Sequence, residues 1–204
     1  MVSALCQTAG RGTNGRGFVS EIGGAYFSVV TDRHNFTAEN VCNATLVAGR
    51  AMAETLREFG LSPVIVHGTQ GARLADILAA EKAPVLCGPL ICDRAKPELA
   101  DLDPASVGIL SANGVLTAIV TDHPVVPAQY LLLSAGLAVR EGMDAEEALK
   151  AVTINAAKIC GIADRVGSIE LGKDADFAVF EQDPLLLSSK PCAVFVNGQL
   201  TVGN

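Results

Sequence analysis

The chain has 204 residues, 50% of them hydrophobic and 18% charged, with a net charge of −7 and aromatics at only 4%. That suits one sizeable domain or a large piece of a bigger one. An acidic balance without a basic stripe argues against nucleic acid and anionic membrane as partners, and no stretch reaches the length of a membrane span.

Residues 1–24 are rich in Gly, Ser, Thr and Asn and read as an irregular N-terminal segment. Gly10–Gly15 matches GxGxxG, but a dinucleotide site needs a strand before it and a helix after it, and the flanking residues suggest neither. Ala25–Thr31 reads as a strand and Thr37–Phe59 as a long helix ended by Gly60. Then come a short buried strand at Pro63–His67, a helix at Ala72–Glu81, a strand at Pro84–Cys87, a helix at Pro104–Ala112 and a buried strand at Val115–Thr121. Helices are expected at Pro127–Arg140 and Ala145–Cys160. Beyond residue 165 the pattern turns to short strands, at Gly167–Glu170, Phe177–Phe180 and Ala193–Val202, with Asn197-Gly198 as a hairpin signal.

Apolar strands alternating with helices argue an α/β fold built of parallel βα units. The expected organisation is an irregular segment 1–24, a β/α catalytic portion 25–165 and small β-sandwich strands 166–204. Six cysteines without a CxxC pair fit reduced, buried thiols better than a disulfide scaffold. No basic region followed by a long apolar run opens the chain, so a cytoplasmic protein is expected and the two Asn-x-Thr sequons, at Asn35 and Asn43, read as chance matches.

Four segments in order carry a resemblance: VIVHGTQG at Val64–Gly71, APVLCGPLICDRAKPEL at Ala83–Leu99, VTDHPVVP at Val120–Pro127, and a tail with AVTINAAKICGI at 151–162 and GSIELGKDADFAVF at 167–180. Together they resemble the amidohydrolase superfamily, in particular its imidazolonepropionase-like, metal-dependent members. The resemblance implies the C-terminal part of a (β/α)8 TIM-type barrel, with PVIVHG, PVLCGP and TAIVTDHP as its sixth, seventh and eighth strands, followed by a small β-sandwich piece. It further implies a hydrolase of C–N bonds in cyclic amides, N-acyl amino acids or dipeptides, using one or two divalent metal ions, zinc first.

His67 ends an apolar strand, and barrel active sites lie at the C-terminal ends of strands. It reads either as a metal ligand or as a hydrogen-bonded structural histidine. Asp122 also ends an apolar strand, where a carboxylate must be paired, capped or metal-bound. The resemblance implies that His67 and Asp122 hold metal and that Asp122 also takes the proton of the attacking water. His123 could orient substrate or cover the rim, and Arg94 could grip a substrate carboxylate or be solvated. His34, after AYFSVVT, is a further candidate ligand. The family's His-x-His motif is absent, since the histidines are His34, His67 and His123.

Two readings follow. In the enzymatic one, a small-molecule amide is hydrolysed and the missing ligands come from elsewhere. In the other, the chain is a catalytically incompetent truncated fragment, or a half-barrel that forms a homo-oligomer or binds a complementary N-terminal fragment, because half a barrel exposes unpaired sheet edges.

Overall fold

The computed structural model describes residues 49–95 and 99–203, together with four short strands nearer the N-terminus: Val2–Ala4 (β1), Gly10–Arg11 (β2), Gly17–Phe18 (β3) and Tyr26–Ser28 (β4). The chain divides into two compact units, Met1–Thr55 and Leu56–Asn204.

In the first unit β1 pairs antiparallel with β4, and β2 with β3. Two expectations change here. Residues 1–24, read as loop, carry three of these strands. The strand expected at Ala25–Thr31 as part of a parallel βα unit is β4, in an antiparallel pair. Composition fits a segment for a pleated surface, but which neighbour the chain brings alongside decides the direction of pairing. His34 and residues 29–48 lie outside the described residues.

A helix occupies 49–58 (α1). It ends in a double hydrogen bond: Gly60 N–H donates to Arg57 O at 2.8 Å and Leu61 N–H to Leu56 O at 2.9 Å. This is the Schellman pattern that the Phe-Gly-Leu sequence anticipates.

The second unit is built on three parallel strands, Ile65–His67 (β5), Val85–Cys87 (β6) and Thr117–Ile119 (β7), in that spatial order. The register sets His67 level with Cys87 and Cys87 level with Ile119. Parallel strands need crossovers. The first runs through a 3-10 turn, Gly71–Leu74, into helix α2, Ala75–Ala80. The second runs through helix α3, Ser106–Ala112. Helices α4 (Leu131–Arg140), α5 (Ala145–Ala151) and α6 (Ile154–Ile159) follow β7.

All of β7 is buried, and Val85 and Cys87 of β6 are closed off, whereas β5 is exposed along its length. The core joins these strand residues to Leu78, Val107 and Leu110, and to Ala135, Ala138, Ala148 and Ala151 of α4 and α5. Alanines on the inner faces let the helices lie close to the sheet. Leu110, fully buried, contributes about 1.5–3 kcal/mol of apolar burial.

The helix expected over Ala145–Cys160 is two helices. Val152 and Thr153 are β-branched, and Thr153 Oγ1 donates to Leu149 O at 2.6 Å. A hydroxyl that bonds the preceding turn competes with the helix ladder and bends the chain. The strand expected at Gly167–Glu170 is a turn. Ser168 Oγ donates to Glu170 Oε1 at 2.6 Å, and Lys173 Nζ reaches Ser168 Oγ at 2.5 Å.

The chain closes in an antiparallel sheet of Phe177–Phe180 (β8), Pro191–Val196 (β9) and Gln199–Gly203 (β10), ordered β10-β9-β8. The hairpin between β9 and β10 turns on Asn197 and Gly198, at φ +51° and +73°. Two successive positive φ values are what the Asn-Gly pair supplies. Phe177 stacks on Phe195 at 4.6 Å between ring centroids. Among the described residues, no helix is long and apolar enough to cross a membrane.

Candidate active site

The C-terminal ends of β5, β6 and β7 open onto one cavity of about 420 Å³. It is lined by His67 and Thr69 after β5, by Pro89, Cys92 and Asp93 after β6, and by Asp122 after β7. Residues 55 positions apart in sequence thus share a wall because parallel pairing brings like ends of strands together. His67 and Asp122 are both exposed to the cavity mouth.

Both have left-handed backbone, at φ +73° for His67 and +52° for Asp122. Side-chain-bearing residues rarely adopt this conformation, and it costs on the order of 1–2 kcal/mol. Lys82 and Asn197 are the other two such residues described, both in turns between elements. Strain at the last residue of β5, and again where the chain leaves β7, re-aims two polar side chains at the end of the sheet.

His67 is held further. Its Nδ1 lies 2.8 Å from Gly88 O. A carbonyl oxygen only accepts, so Nδ1 carries a proton, and in the neutral imidazole the lone pair is on Nε2. In return, Gly88 N–H donates to His67 O at 3.2 Å. Gly88 itself lies against β7's extension: at φ +139°, a Cβ there would fall inside the Val120 carbonyl oxygen. One glycine therefore ties together the chain leaving all three strands.

The amidohydrolase family model matches residues 103–202. An amidohydrolase from Thermotoga maritima MSB8 superposes with a TM-score of 0.70 at 38% identity, covering 82% of this chain and 42% of that one. These matches support membership of the amidohydrolase superfamily. Among curated amidohydrolases, tasK of Hapsidospora irregularis is 34% identical over 95 residues, 47% of this chain and 10% of the relative. An imidazolonepropionase of Thermoplasma acidophilum is 44% identical over 69 residues, 33% of this chain and 17% of that protein. The matched stretch is thus well under half the length of each of these relatives.

Of the other sequence candidates among the described residues, neither Arg94 nor His123 lines the cavity of His67 and Asp122. Arg94 follows Asp93 but turns away, donating from a guanidinium nitrogen to Leu102 O at 2.6 Å. It lines a neighbouring cavity of about 450 Å³, with Arg73, Asp101 and Asp103. There Arg73 pairs with Asp101 at 3.2 Å. His123 is exposed and is not part of the wall that holds Asp122. Cys87, level with His67, faces the core instead, and burial pushes its thiol up to about 12, which keeps it protonated and inert.

An imidazole and a carboxylate, both donor types that divalent cations use, line this cavity. The second partner that orients such an imidazole is present in Gly88 O, the arrangement metal-binding histidines use. Among the described residues, no group of three or more His, Cys, Asp or Glu could hold a metal. The residues described thus fit part of a metal site. Sequence reasoning missed Gly88 and Asp93. The signal for Gly88 lay in Cys-Gly-Pro directly after an apolar strand.

Proposed function

We propose that this chain contributes the sixth, seventh and eighth strands of a (β/α)8 barrel as β5, β6 and β7, and hydrolyses C–N bonds of small amides or cyclic amides. The observation that carries the reading is the pairing of His67 and Asp122 at one cavity, with the His67 tautomer set by Gly88 O. His67 Nε2 and an Asp122 oxygen would hold a divalent metal, zinc first, as one or two ions. When bound, the metal lowers the pKa of water toward neutrality and polarises the substrate carbonyl. Asp122, at the open end of β7, accepts the proton of the attacking water and returns it to the leaving nitrogen. A catalytic zinc takes about three protein ligands plus water, so further ligands come from strand ends outside β5–β7. The β-sandwich would receive β8, β9 and β10, and the domain boundaries of the sequence reading, 24/25 and 165/166, belong to this proposal.

The test is zinc content of the purified chain by elemental analysis, with His67→Ala and Asp122→Asn as controls, beside amine release from N-acyl amino acids, dipeptides and cyclic amides. Near-stoichiometric zinc lost in both controls supports the reading. Zinc retained in both controls sinks it.

A second reading has its own observation. β5 is an edge strand among the described residues of its sheet, with Ile65 38% and Val66 56% exposed. An exposed apolar edge is a template for further pairing. In this reading the chain acts only once a homo-oligomer or a complementary fragment covers that edge. A folded, metal-free monomer that binds zinc on assembly would favour it.

A further inference from the structure

We infer that Asp93 is a specificity-determining residue, selecting substrates that carry a cationic group toward the loop after β6. The inference rests on the hydrolase reading only in placing the substrate in the His67–Asp122 cavity.

The loop leaves β6 at Gly88, which is locked to His67 by two hydrogen bonds. Leu90 is buried and anchors the next turn. Asp93 then lines the cavity, while the adjacent Arg94 goes to the neighbouring one. Two bonds set this opposition. Asp93 Oδ1 accepts the Ala95 N–H at 3.0 Å, and Arg94 is held on Leu102 O at 2.6 Å. The loop therefore presents its anion to the cavity and pins its cation outside.

Leu99 and Val125 complete the described lining. Among the described residues, that lining carries two carboxylates and neither lysine nor arginine. Asp122 is committed to the reacting centre. Asp93 is the second anion, on the strand-end loop between those of His67 and Asp122, free of that duty. A substrate ammonium or guanidinium would pair with it, and a substrate carboxylate in the same place would meet like charge, which discriminates by repulsion as well as attraction. Arg94, which by sequence could grip a substrate carboxylate or be solvated, is held on Leu102 O and lines the neighbouring cavity.

The experiment is an NMR titration of the zinc-supplemented chain with N-acetyl-L-lysinamide, its neutral counterpart N-acetyl-L-norleucinamide and the acidic N-acetyl-L-glutamate. Asp93 is exposed, so screening limits the effect. At low salt the lysinamide should bind roughly threefold or more tighter than the norleucinamide, and the glutamate weakest. The preference should vanish in Asp93→Asn and at high salt, and persist in Asp93→Glu, which separates lost charge from a damaged loop. Equal affinities, no binding of any probe, or a preference that survives in Asp93→Asn would overturn the inference. A charge preference without amine release would leave it standing and count against the hydrolase reading instead.

Discussion

Replacing Gly88 by alanine tests whether one residue holds the site together. At φ +139° a side-chain-bearing residue costs about 1–3 kcal/mol in backbone strain. The added Cβ would also fall inside the Val120 carbonyl oxygen. That oxygen cannot easily retreat, because Val120 N–H is bonded to Cys87 O at 2.8 Å. Relieving the overlap adds about 1–3 kcal/mol, as overpacking does. The expected loss is about 2–6 kcal/mol, a large share of the stability of an ordinary domain. For a chain of this size it lowers Tm by roughly 5–20 °C. Any shift of Gly88 also draws its carbonyl away from His67 Nδ1, freeing the imidazole to exchange tautomers. Urea and thermal denaturation measure the first effect, and nitrogen NMR of the His67 ring measures the second. A Gly88→Ala protein within about 1 kcal/mol of wild type, with the Nδ1–H tautomer intact, would refute the reasoning.

Four further outcomes are expected. Asp144 caps α5 by accepting the Glu147 N–H at 3.0 Å, so Asp144→Ala should cost about 1 kcal/mol by urea denaturation while Asp144→Asn stays near wild type. Leu110→Ala, at a fully buried core position, should cost about 2–5 kcal/mol, and a value well below 1 would mean that the core is not packed as described. Cys87 ionises at about 12 when folded and near 8.5 when unfolded. The unfolded chain therefore sheds its proton first, and this contribution to stability is constant below about pH 8.5 and lost as pH rises toward 12, at up to about 1.4 kcal/mol per pH unit. Urea midpoints from pH 7 to about pH 10 should show that part of the alkaline slope disappear in Cys87→Ala. Peptide mapping after mild alkylation should find the exposed Cys160 and Cys192 labelled and Cys87 protected.

Much of the second unit was legible in the chain itself. Short apolar runs bounded by glycine and proline, at 63–67, 84–87 and 115–121, mark β5, β6 and β7, although β5, expected to be buried, is exposed along its length. Asn197-Gly198 marks the β9–β10 turn because positive φ at successive residues is a local demand. His67 and Asp122 were readable as site candidates from their place at strand ends. Their roles stay with the proposed zinc and activity measurements.

Other features depend on contacts between segments far apart in sequence, and no local pattern contains them. β4 pairs antiparallel with β1 although it reads like any apolar strand. The break at Thr153 depends on a hydroxyl choosing the Leu149 carbonyl. That Asp93 lines one cavity with His67 and Asp122 while Arg94, its neighbour, lines another, follows from where Gly88 and Leu102 hold the loop. Periodicity and turn chemistry act over a few residues and are written in the sequence. Strand direction, side-chain aim and the charge of a cavity are set where distant segments meet, so the tertiary structure alone decided them.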